Sequence, residues 1–255
     1  MKISLLRLAA AAALLAAGGA ACAQATITHD KALTGNVTPG DTAGYPITIS
    51  QPGSYKLMSN LVVPPETSGI VVNSHGVTID LNGFTISGPG SCSRNTYTRV
   101  VTCAGGSYVG IYAGANDGTV IRNGTVRGFN NGISLGKEGF VENVLVTQNA
   151  TEGIWSSEFG AQVQLVGVRA VLNGGHGIHL GSGSITRVTA SQNGKDGIHG
   201  AWTNAIQVMD SSADSNAWLG FRGVTLRSSM ISGQGQSDRS LVRSLGGNAD
   251  EVGSY

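Results

Sequence analysis

The stretch Thr189–His199, TASQNGKDGIH, contains a unit that recurs along most of this chain. In this unit a glycine precedes a large apolar residue, and Asn193 lies four residues before that glycine. The same glycine–apolar pair occurs at Gly69-Ile70, Gly110-Ile111, Gly132-Ile133, Gly153-Ile154, Gly177-Ile178, Gly197-Ile198 and Gly220-Phe221. Successive repeat glycines are 20 to 24 residues apart, except for a first interval of 41 residues. Self-similarity at such a fixed period indicates a stacked repeat architecture.

The asparagine of the unit forms a second column in the same register. It occurs at Asn149, Asn173, Asn193 and Asn216, in each case four residues before a repeat glycine. Asparagine tolerates the left-handed backbone conformation that a sharp turn demands. Stacked asparagine amides can also bond to one another along a column. We therefore predict an asparagine ladder at one corner of stacked coils.

The repeat length and the apolar alternation together predict an all-β fold. In VTIDLNGFTIS (Val77–Ser87), Val77, Ile79 and Leu81 fall on one face of a strand. Leucine-rich repeats have a similar length but need a leucine lattice that is absent, and the 39 glycines exclude helical repeats. We predict a right-handed parallel β-helix, a solenoid of about seven or eight coils between Ile47 and Ile231.

Three segments carry a resemblance to a known family. They are GVTIDLNGFTISG (Gly76–Gly88), GTVIRNGTVRGFNNGI (Gly118–Ile133) and TASQNGKDGIH (Thr189–His199). Together they resemble the pectate-lyase-like superfamily, and more narrowly the right-handed parallel β-helix repeat domains of exported bacterial proteins. The resemblance covers residues 47–232. It implies the fold but no single function, because that superfamily includes lyases, hydrolases, epimerases, adhesins and non-catalytic binders.

The N-terminal residues 1–23 have the pattern of a signal peptide. Lys2 and Arg7 form a positive segment, and the apolar run Leu8–Ala17 is too short for a membrane anchor. The small residues Ala21–Ala23 then offer a cleavage site. Lipidation of Cys22 is an alternative. We expect a secreted or periplasmic protein.

The remaining segments divide the chain into three parts. Residues 24–46 are predicted to form an N-terminal extension or cap, 47–232 the β-helix domain, and 233–255 a C-terminal cap and tail. Within Pro46–Val63 we expect an atypical first coil with two strands around Gly53. SDRSLVRSL (Ser237–Leu245) predicts a short capping helix whose leucine and valine side chains cover the open core. Gly246–Tyr255 is expected to be a frayed tail.

Charge and cysteine content exclude some functions. Charged residues make up 12% of the chain, about half the usual share, and Lys and Arg do not cluster. We therefore expect no nucleic-acid partner, and no second long apolar stretch predicts a membrane span. After cleavage two cysteines remain, Cys92 and Cys103, within an insertion at Gly88–Tyr108. In an exported chain such a pair predicts a disulfide; a metal pair or free thiols are the alternatives.

One outward column of residues is the first candidate for a binding site. Because side chains alternate along a strand, the residue after each inward apolar residue points outward. This column contains Val71, Tyr112, Ser134, Trp155, His179, His199 and Arg222. We call it the stripe, and we expect the repeat glycines to form a shallow floor beside it. Aromatic rings stack on sugars and polar tips bind hydroxyls or carboxylates, so Tyr112, Trp155 and His176 are predicted ligand-binding residues.

A second column supplies groups for catalysis. Glu152, His176 and Asp196 lie directly before repeat glycines, and Lys195 lies beside Asp196. A β-eliminating lyase would use His179 or His199 as the base and Arg222 or Lys195 as the cation. A hydrolase would pair Glu152 with Asp196. Two coils put their backbones about 10 Å apart, a separation that fits inversion better than retention.

A structural interpretation competes with these roles. Turns favour Asp, Asn, Lys and His for backbone reasons, and an outward column has to hold some residue type. His29 and His75 lie outside the stripe and are predicted to be solvated or capping, while Trp202 and Trp218 would cover apolar edges. Metalloprotease, phosphate-loop and serine-elbow motifs are absent. Carboxylates are too scattered for a calcium site, so we expect no metal and no cofactor.

Three functions follow from these features. The first is an exported protein that binds a polysaccharide or surface glycan along its outward sheet face without turnover, because the repeat is strong and no catalytic set is recognisable. The second is a polysaccharide lyase or glycoside hydrolase that uses the same face. The third is a periplasmic accessory factor for copper delivery, which some β-helix repeats resemble. His179 and His199 on neighbouring coils favour this third function.

Overall fold

The computed structural model of the protein describes residues 24–106, 108–156, 162–201, 205–233, 243–250 and 253–254. Within these ranges the chain forms a parallel β-solenoid, so the all-β stacked fold predicted from the repeat is confirmed. None of its described helices has the length and apolar character needed to cross a bilayer. The predicted signal peptide, with Cys22, lies outside the described residues.

The secondary structure consists of short strands and one short helix. The first elements are β1 (Ala25–Ile27), α1 (His29–Thr34), β2 (Ile47–Ile49), β3 (Gly53–Leu57), β4 (Leu61–Val62), β5 (Ile70–Val72), β6 (Val77–Asp80), β7 (Thr85–Ser87), β8 (Ser91–Arg94) and β9 (Val101–Ala104). There follow β10 (Val109–Ala113), β11 (Val120–Arg127), β12 (Asn131–Leu135), β13 (Phe140–Thr147), β14 (Ile154–Ser156), β15 (Val163–Val166), β16 (Arg169–Val171), β17 (Ile178–Leu180), β18 (Gly183–Thr186) and β19 (Thr189–Ser191). The last are β20 (Ile198–Gly200), β21 (Ile206–Met209), β22 (Ser212–Asp214), β23 (Phe221–Arg222), β24 (Val224–Arg227), β25 (Met230–Ser232), β26 (Arg243–Ser244), β27 (Ala249–Asp250) and β28 (Gly253–Ser254).

One face of the solenoid is an eight-stranded parallel sheet, which we call the front sheet. It contains β2, β5, β10, β12, β14, β17, β20 and β23 in that order, one strand from each successive coil. Strand β10 pairs directly with β5, so the first interval of 41 residues is one coil that carries an insertion. The other two faces join into a single 18-stranded sheet, because β11 and β13 each pair with strands of both faces.

The interior is a narrow column of stacked aliphatic side chains. The apolar residues after the repeat glycines point inward as predicted, and all of them are at most 2% exposed. They are Ile70, Ile111, Ile133, Ile154, Ile178, Ile198 and Phe221. Burying each such side chain stabilises a protein by about 1.5–3 kcal/mol, so this inward column supplies much of the force that stacks the coils.

The predicted asparagine ladder is present at the corner before the front sheet. Asn149, Asn173, Asn193 and Asn216 are all fully buried. The Nδ2 of each of the first three donates to the Oδ1 of the next, over 2.9 to 3.0 Å. The prediction that these asparagines adopt the left-handed backbone conformation was wrong. The positive φ angles belong to the residue before each asparagine, such as Gln192 at 57°. Asparagine is needed here for its amide hydrogen bonds and not for a left-handed backbone.

The repeat glycines do not form the predicted shallow floor beside the stripe, because they are not accessible from outside. All seven are buried. A Cβ at Gly153 would lie less than 3.0 Å from the carbonyl oxygen of Gly177 and 2.9 Å from Nδ2 of Asn173. The same crowding by the next coil and the ladder occurs at Gly132, Gly177 and Gly197. Glycine therefore allows the coils to approach closely at this corner.

The insertion is a two-stranded antiparallel hairpin of β8 and β9. Cys92 and Cys103 lie opposite each other across it and form the predicted disulfide. The hairpin lies along the asparagine corner, where a Cβ at Gly174 would meet Sγ of Cys103 at 2.7 Å. The Arg94 guanidinium donates to the carbonyl oxygen of Ser215 over 3.0 Å. The disulfide-linked hairpin thus braces several coils that are distant in sequence.

The N-terminal end of the solenoid carries a strand and a helix, and the C-terminal end differs in part from expectation. Strand β1 pairs with β3, and α1 follows with Thr28 as its N-cap. At the other end β26 pairs with β24 where a capping helix was predicted, and Leu245 is 57% exposed. Residues 237–242 of that predicted helix lie outside the described residues. Asn248 is buried and donates to Leu226, so this position is not a frayed tail.

Candidate functional site

The stripe predicted from side-chain alternation is aligned across the front sheet. Consecutive members are register partners from one coil to the next: Val71, Tyr112, Ser134, Trp155, His179, His199 and Arg222. Thr48 extends the column by one coil at the N-terminal end, which the repeat did not reveal because β2 lacks the preceding glycine. Residues up to 174 positions apart in the sequence therefore form one column.

The members of the stripe differ in their exposure to solvent. Tyr112 is 36% exposed, and Trp155, His179, His199 and Arg222 are half-buried. Ser134 is only 1% exposed, and its hydroxyl has no hydrogen-bond partner among the described residues. Ser134 therefore lies on the outer face without being accessible to a large ligand.

The column before the glycines is a ladder of side-chain acceptors. The Asn131 amide oxygen accepts the backbone N–H of Glu152 over 3.2 Å. A Glu152 carboxylate oxygen accepts the N–H of His176 over 2.7 Å, and His176 Nδ1 accepts that of Asp196 over 3.1 Å. An Asp196 oxygen accepts the N–H of Leu219 over 3.0 Å. Each of these side chains thus satisfies the backbone of the next coil, as the structural interpretation predicts.

This ladder also identifies a residue that sequence reasoning missed. Asn131 occupies the same position as Glu152, directly before a repeat glycine, but it was not assigned a role. The available signal was that the four consecutive members from Asn131 to Asp196 each carry an acceptor atom three or four bonds from the Cα. Such side chains can reach the backbone N–H of the adjacent strand, which is about 4.8 Å away.

Asp196 also connects the ladder to the stripe. Its second oxygen, Oδ2, lies 2.9 Å from Nδ1 of His199. The carboxylate can only accept, so His199 Nδ1 carries the proton and donates it. The other nitrogen, Nε2, is then unprotonated in the neutral ring. Because Asp196 is fully buried, it orients His199 and does not itself reach a ligand.

Three histidines from two adjacent coils form a compact cluster. The ring centroids of His176 and His199 are 4.4 Å apart, those of His179 and His199 4.7 Å, and those of His176 and His179 5.4 Å. Glu152 borders the cluster on the preceding coil, close to His176 and His179. The fold therefore brings together the predicted base candidates, one predicted ligand-binding residue and both predicted carboxylates.

Lys195 and Trp218 complete the edge of this cluster. The Trp218 ring stands edge-on to the His176 ring, with centroids 6.2 Å apart. Lys195 Nζ lies 5.8 Å from the centroid of the Trp218 ring, within reach of a cation–π interaction. Trp218 was expected only to cover an apolar edge, and its contact with His176 could not be read from the repeat. Trp202 lies outside the described residues.

The two remaining histidines lie away from the cluster, as predicted. His29 shares a hydrogen bond between its Nδ1 and the Tyr45 hydroxyl over 3.0 Å. His75 is exposed, and its Nδ1 accepts the N–H of Asp117 over 3.1 Å. His29 therefore has a role within the N-terminal segment, whereas His75 connects its coil to the next one.

Burial sets the protonation states in the cluster. It lowers the pKa of His176 to about 3 and that of His179 to about 4, so both rings are neutral at pH 7. Burial raises the pKa of Glu152, although the His176 N–H partly opposes this. For Asp196, burial alone would raise the pKa, but hydrogen bonds from His199 and the Leu219 N–H outweigh it and lower the pKa.

The depressed pKa of His176 predicts a loss of stability in acid. The unfolded ring titrates near 6.5, so between that value and the folded pKa of about 3 only the unfolded chain binds the proton. The free energy of unfolding should therefore fall as the pH decreases, by at most about 2 kcal/mol from this residue between pH 7 and pH 5. Urea unfolding at both pH values, in EDTA, measures the effect.

Two variants test whether His176 is responsible. His176→Asn keeps an acceptor for the Asp196 N–H, as Asn131 does in the same column, and should show a clearly smaller loss. His75→Gln changes an exposed histidine, and its free energy of unfolding should fall between pH 7 and pH 5 as much as that of the unchanged protein. An unchanged pH dependence in His176→Asn would contradict the assignment.

Comparisons with known proteins do not add a function to this geometry. No family model, no curated protein and no solved structure matches the chain. The resemblance to pectate-lyase-like repeats therefore stays a prediction, and the parallel β-solenoid itself is what the structure establishes.

Proposed function

We propose that this protein is exported and binds a polysaccharide or surface glycan along the front sheet, without turnover. The observation that carries the proposal is the unbroken register of the stripe from Tyr112 to Arg222. Five strand spacings of about 4.8 Å give this part of the stripe a length of about 24 Å. One spacing is close to the length of one sugar unit in an extended glycan, so each coil of this part, except that of the buried Ser134, would offer its stripe side chain to a separate unit.

The side chains of the stripe suit an acidic glycan. Trp155 and Tyr112 offer ring faces on which sugar rings stack. His179 and His199 provide hydrogen-bonding atoms at the centre, and Arg222 provides a planar donor for a carboxylate at the far end. Lys195 adds a second cation at the side of the stripe. A chain of uronic acids presents all the matching groups: ring faces, hydroxyls and carboxylates.

The disulfide supports a place outside the cytoplasm. The bond between Cys92 and Cys103 is typical of an oxidising compartment. Polysaccharides and cell-surface glycans are met in such compartments, which agrees with the predicted export of the chain.

Removing the central aromatic ring should weaken glycan binding strongly. We expect the protein to be retained on at least one immobilised uronic-acid polysaccharide, and Trp155→Ala to weaken that binding about tenfold or more. The matched control is Tyr97→Ala, which removes an aromatic ring that is 95% exposed at the tip of the hairpin. Affinity electrophoresis or calorimetry measures both variants. Equal binding by Trp155→Ala and the unchanged protein would contradict the proposal.

A lyase is the second candidate, and the Asp196–His199 hydrogen bond favours it. That bond leaves His199 Nε2 free to accept a proton, and Arg222 is the register partner of His199 on the next coil. In β-elimination His199 would take the proton α to the uronate carboxylate while Arg222 stabilises the enolate charge. The bond from the β-carbon to the glycosidic oxygen then breaks as the double bond forms, and the leaving oxygen takes a proton from solvent or from the protonated His199. The hydrolase is less favoured, because its proposed carboxylate Asp196 is fully buried.

Turnover separates the two candidates. Incubation with the same polysaccharides, followed by ultraviolet absorbance of unsaturated ends, detects elimination; reducing-end release detects hydrolysis. If elimination occurs and His199→Gln abolishes it while glycan binding persists, the protein is a lyase. If the glycan is retained without any turnover, the binding function stands.

A further inference from the structure

We propose that His176, His179 and His199 form a binding site for a divalent late transition metal ion of the Zn²⁺ and Cu²⁺ class. The site lies on the front sheet, where the coils of β17 and β20 stack. The sequence predicted no bound metal, although His179 and His199 favoured the third function, copper delivery. The proposal does not rest on glycan binding.

The spacing of the three rings carries the proposal. Their centroids are 4.4, 4.7 and 5.4 Å apart. Two imidazoles bound to one tetrahedral Zn²⁺ at about 2.0–2.1 Å have ring centroids about 5 Å apart. The ligand atoms lie within 4.8 Å of one another in two sets that share His176: one set adds Glu152 and His179, and the other adds Asp196 and His199. Rotation of the His179 and His199 side chains would direct one nitrogen from each of the three rings to a common point.

One buried carboxylate lies behind two of the rings. Asp196 Oδ2 is 2.9 Å from Nδ1 of His199 and 3.5 Å from Nδ1 of His176. Metal-binding histidines typically donate their second N–H to such a carboxylate, which orients the ring and fixes the tautomer. His199 is already in this state, with its Nε2 free.

His176 can adopt the same state by a change of tautomer. Its Nδ1 now accepts the Asp196 N–H, which leaves the ring proton on Nε2. When a metal binds at Nε2, the proton moves to Nδ1, where Asp196 Oδ2 is the acceptor. The ring then loses one backbone hydrogen bond and gains one to a carboxylate.

Glu152 supplies a fourth ligand. Its carboxylate and the ligand atoms of His176 and His179 all lie within 4.8 Å of one another. Oε2 accepts the His176 N–H, whereas Oε1 makes no hydrogen bond to any described residue. Three imidazoles and one carboxylate match the ligand preferences of Zn²⁺ and Cu²⁺, while Ca²⁺ and Mg²⁺ prefer oxygen ligands.

His179 is the residue that the backbone ladder does not explain. Glu152, His176 and Asp196 each accept a backbone N–H, so they have a structural role. The ring of His179 makes no hydrogen bond within the described part of the chain, although it is half-buried against two other imidazoles. A bound metal ion would give the His179 ring a partner for one of its two nitrogens.

Direct metal titration tests the site. The full chain, purified without an oligohistidine tag and treated with EDTA, is titrated with ZnCl₂ by calorimetry. We expect one equivalent to bind, and His179→Gln to weaken binding about 100-fold or more. His179→Gln removes no hydrogen bond within the described residues, so far-UV circular dichroism should show an unchanged fold. Asp196→Asn, which alters the group behind the rings, should weaken binding about 10- to 100-fold.

Matched controls and a spectroscopic readout make the test specific. His75→Gln removes an exposed histidine outside the cluster and should leave the affinity unchanged. The Cu²⁺ form should show nitrogen hyperfine coupling from more than one imidazole in its electron paramagnetic resonance spectrum. The proposal is overturned by an absence of stoichiometric binding, by equal affinity in His179→Gln, or by coupling to a single nitrogen. Trp155→Ala should bind Zn²⁺ normally, which separates this site from glycan binding.

Discussion

Replacing Asn193 with alanine should lower the free energy of unfolding by about 4 kcal/mol. Its Oδ1 accepts both the backbone N–H and the side-chain amide of Asn173, each over 3.0 Å. Its Nδ2 donates to the carbonyl oxygen of Ala170 and to Asn216 Oδ1. Alanine would remove all four of these hydrogen bonds and would leave the Asn173 N–H without its partner in a fully buried corner. Each buried group without a partner costs about 1–3 kcal/mol.

Urea unfolding followed by circular dichroism measures the effect of Asn193→Ala. The control is Gln207→Ala, because Gln207 is exposed on strand β21 and its side chain makes no hydrogen bond to a described residue. We expect this control to change stability by less than about 0.5 kcal/mol. A loss below about 1 kcal/mol in Asn193→Ala would show that the ladder does not stabilise the stack.

Replacing Gly153 with alanine should destabilise the solenoid by about 3 kcal/mol or more. The added Cβ would lie less than 3.0 Å from the Gly177 carbonyl oxygen and 2.9 Å from Asn173 Nδ2. The coils would have to separate at this corner. That movement would stretch the backbone hydrogen bond from the Ile154 N–H to the Gly177 carbonyl, which is 3.1 Å long. The φ of Gly153 is not positive, so the effect is steric and not conformational.

Gly83→Ala separates the steric effect from the loss of backbone freedom. Gly83 has a φ of 80°, and a Cβ there would meet no atom within 4 Å. The substitution should therefore cost only the left-handed strain of about 1–2 kcal/mol. Thermal unfolding of both variants provides the comparison. If Gly153→Ala is no more destabilising than Gly83→Ala, the close approach of the coils does not determine the choice of glycine.

The stripe was predictable because strand geometry relates it to the repeat by a simple rule. Once Gly197-Ile198 and its equivalents were aligned, the next residue of each unit had to face outward. Register between parallel coils then placed Trp155, His179 and His199 side by side. The disulfide between Cys92 and Cys103 was predictable from composition, since only two cysteines remain after the predicted cleavage.

The exposure of the stripe residues was not predictable in this way. Alternation gives the direction of a side chain but not the volume of its neighbours, so Ser134 was assigned outward although it is almost fully buried. The repeat glycines were likewise assigned to an open floor. Their burial depends on how closely the next coil approaches. That distance cannot be predicted from the number of residues between repeat glycines.

The described end of the predicted capping helix, residues 243–245, is not helical, because a local pattern competed there with a long-range one. Leu241, Val242 and Leu245 have the spacing of an amphipathic helix. In the folded chain an exposed strand edge is available at β24, and Arg243–Ser244 pairs with it. Pairing with a preformed edge satisfies backbone groups that a short, exposed helix would leave unpaired at its ends.

A repeat of about 22 residues with aligned glycines and asparagines was enough to establish the stacked β architecture, the inward column and the members of the stripe, because these depend on period and alternation alone. The chemistry of the cluster needed the folded coils. Asp196 holds His199, and three imidazoles converge beside Glu152, because side chains from adjacent coils lean toward one another across the strand spacing. Those directions depend on rotamers, buried hydrogen bonds and neighbouring volumes, which exist only in the stacked solenoid.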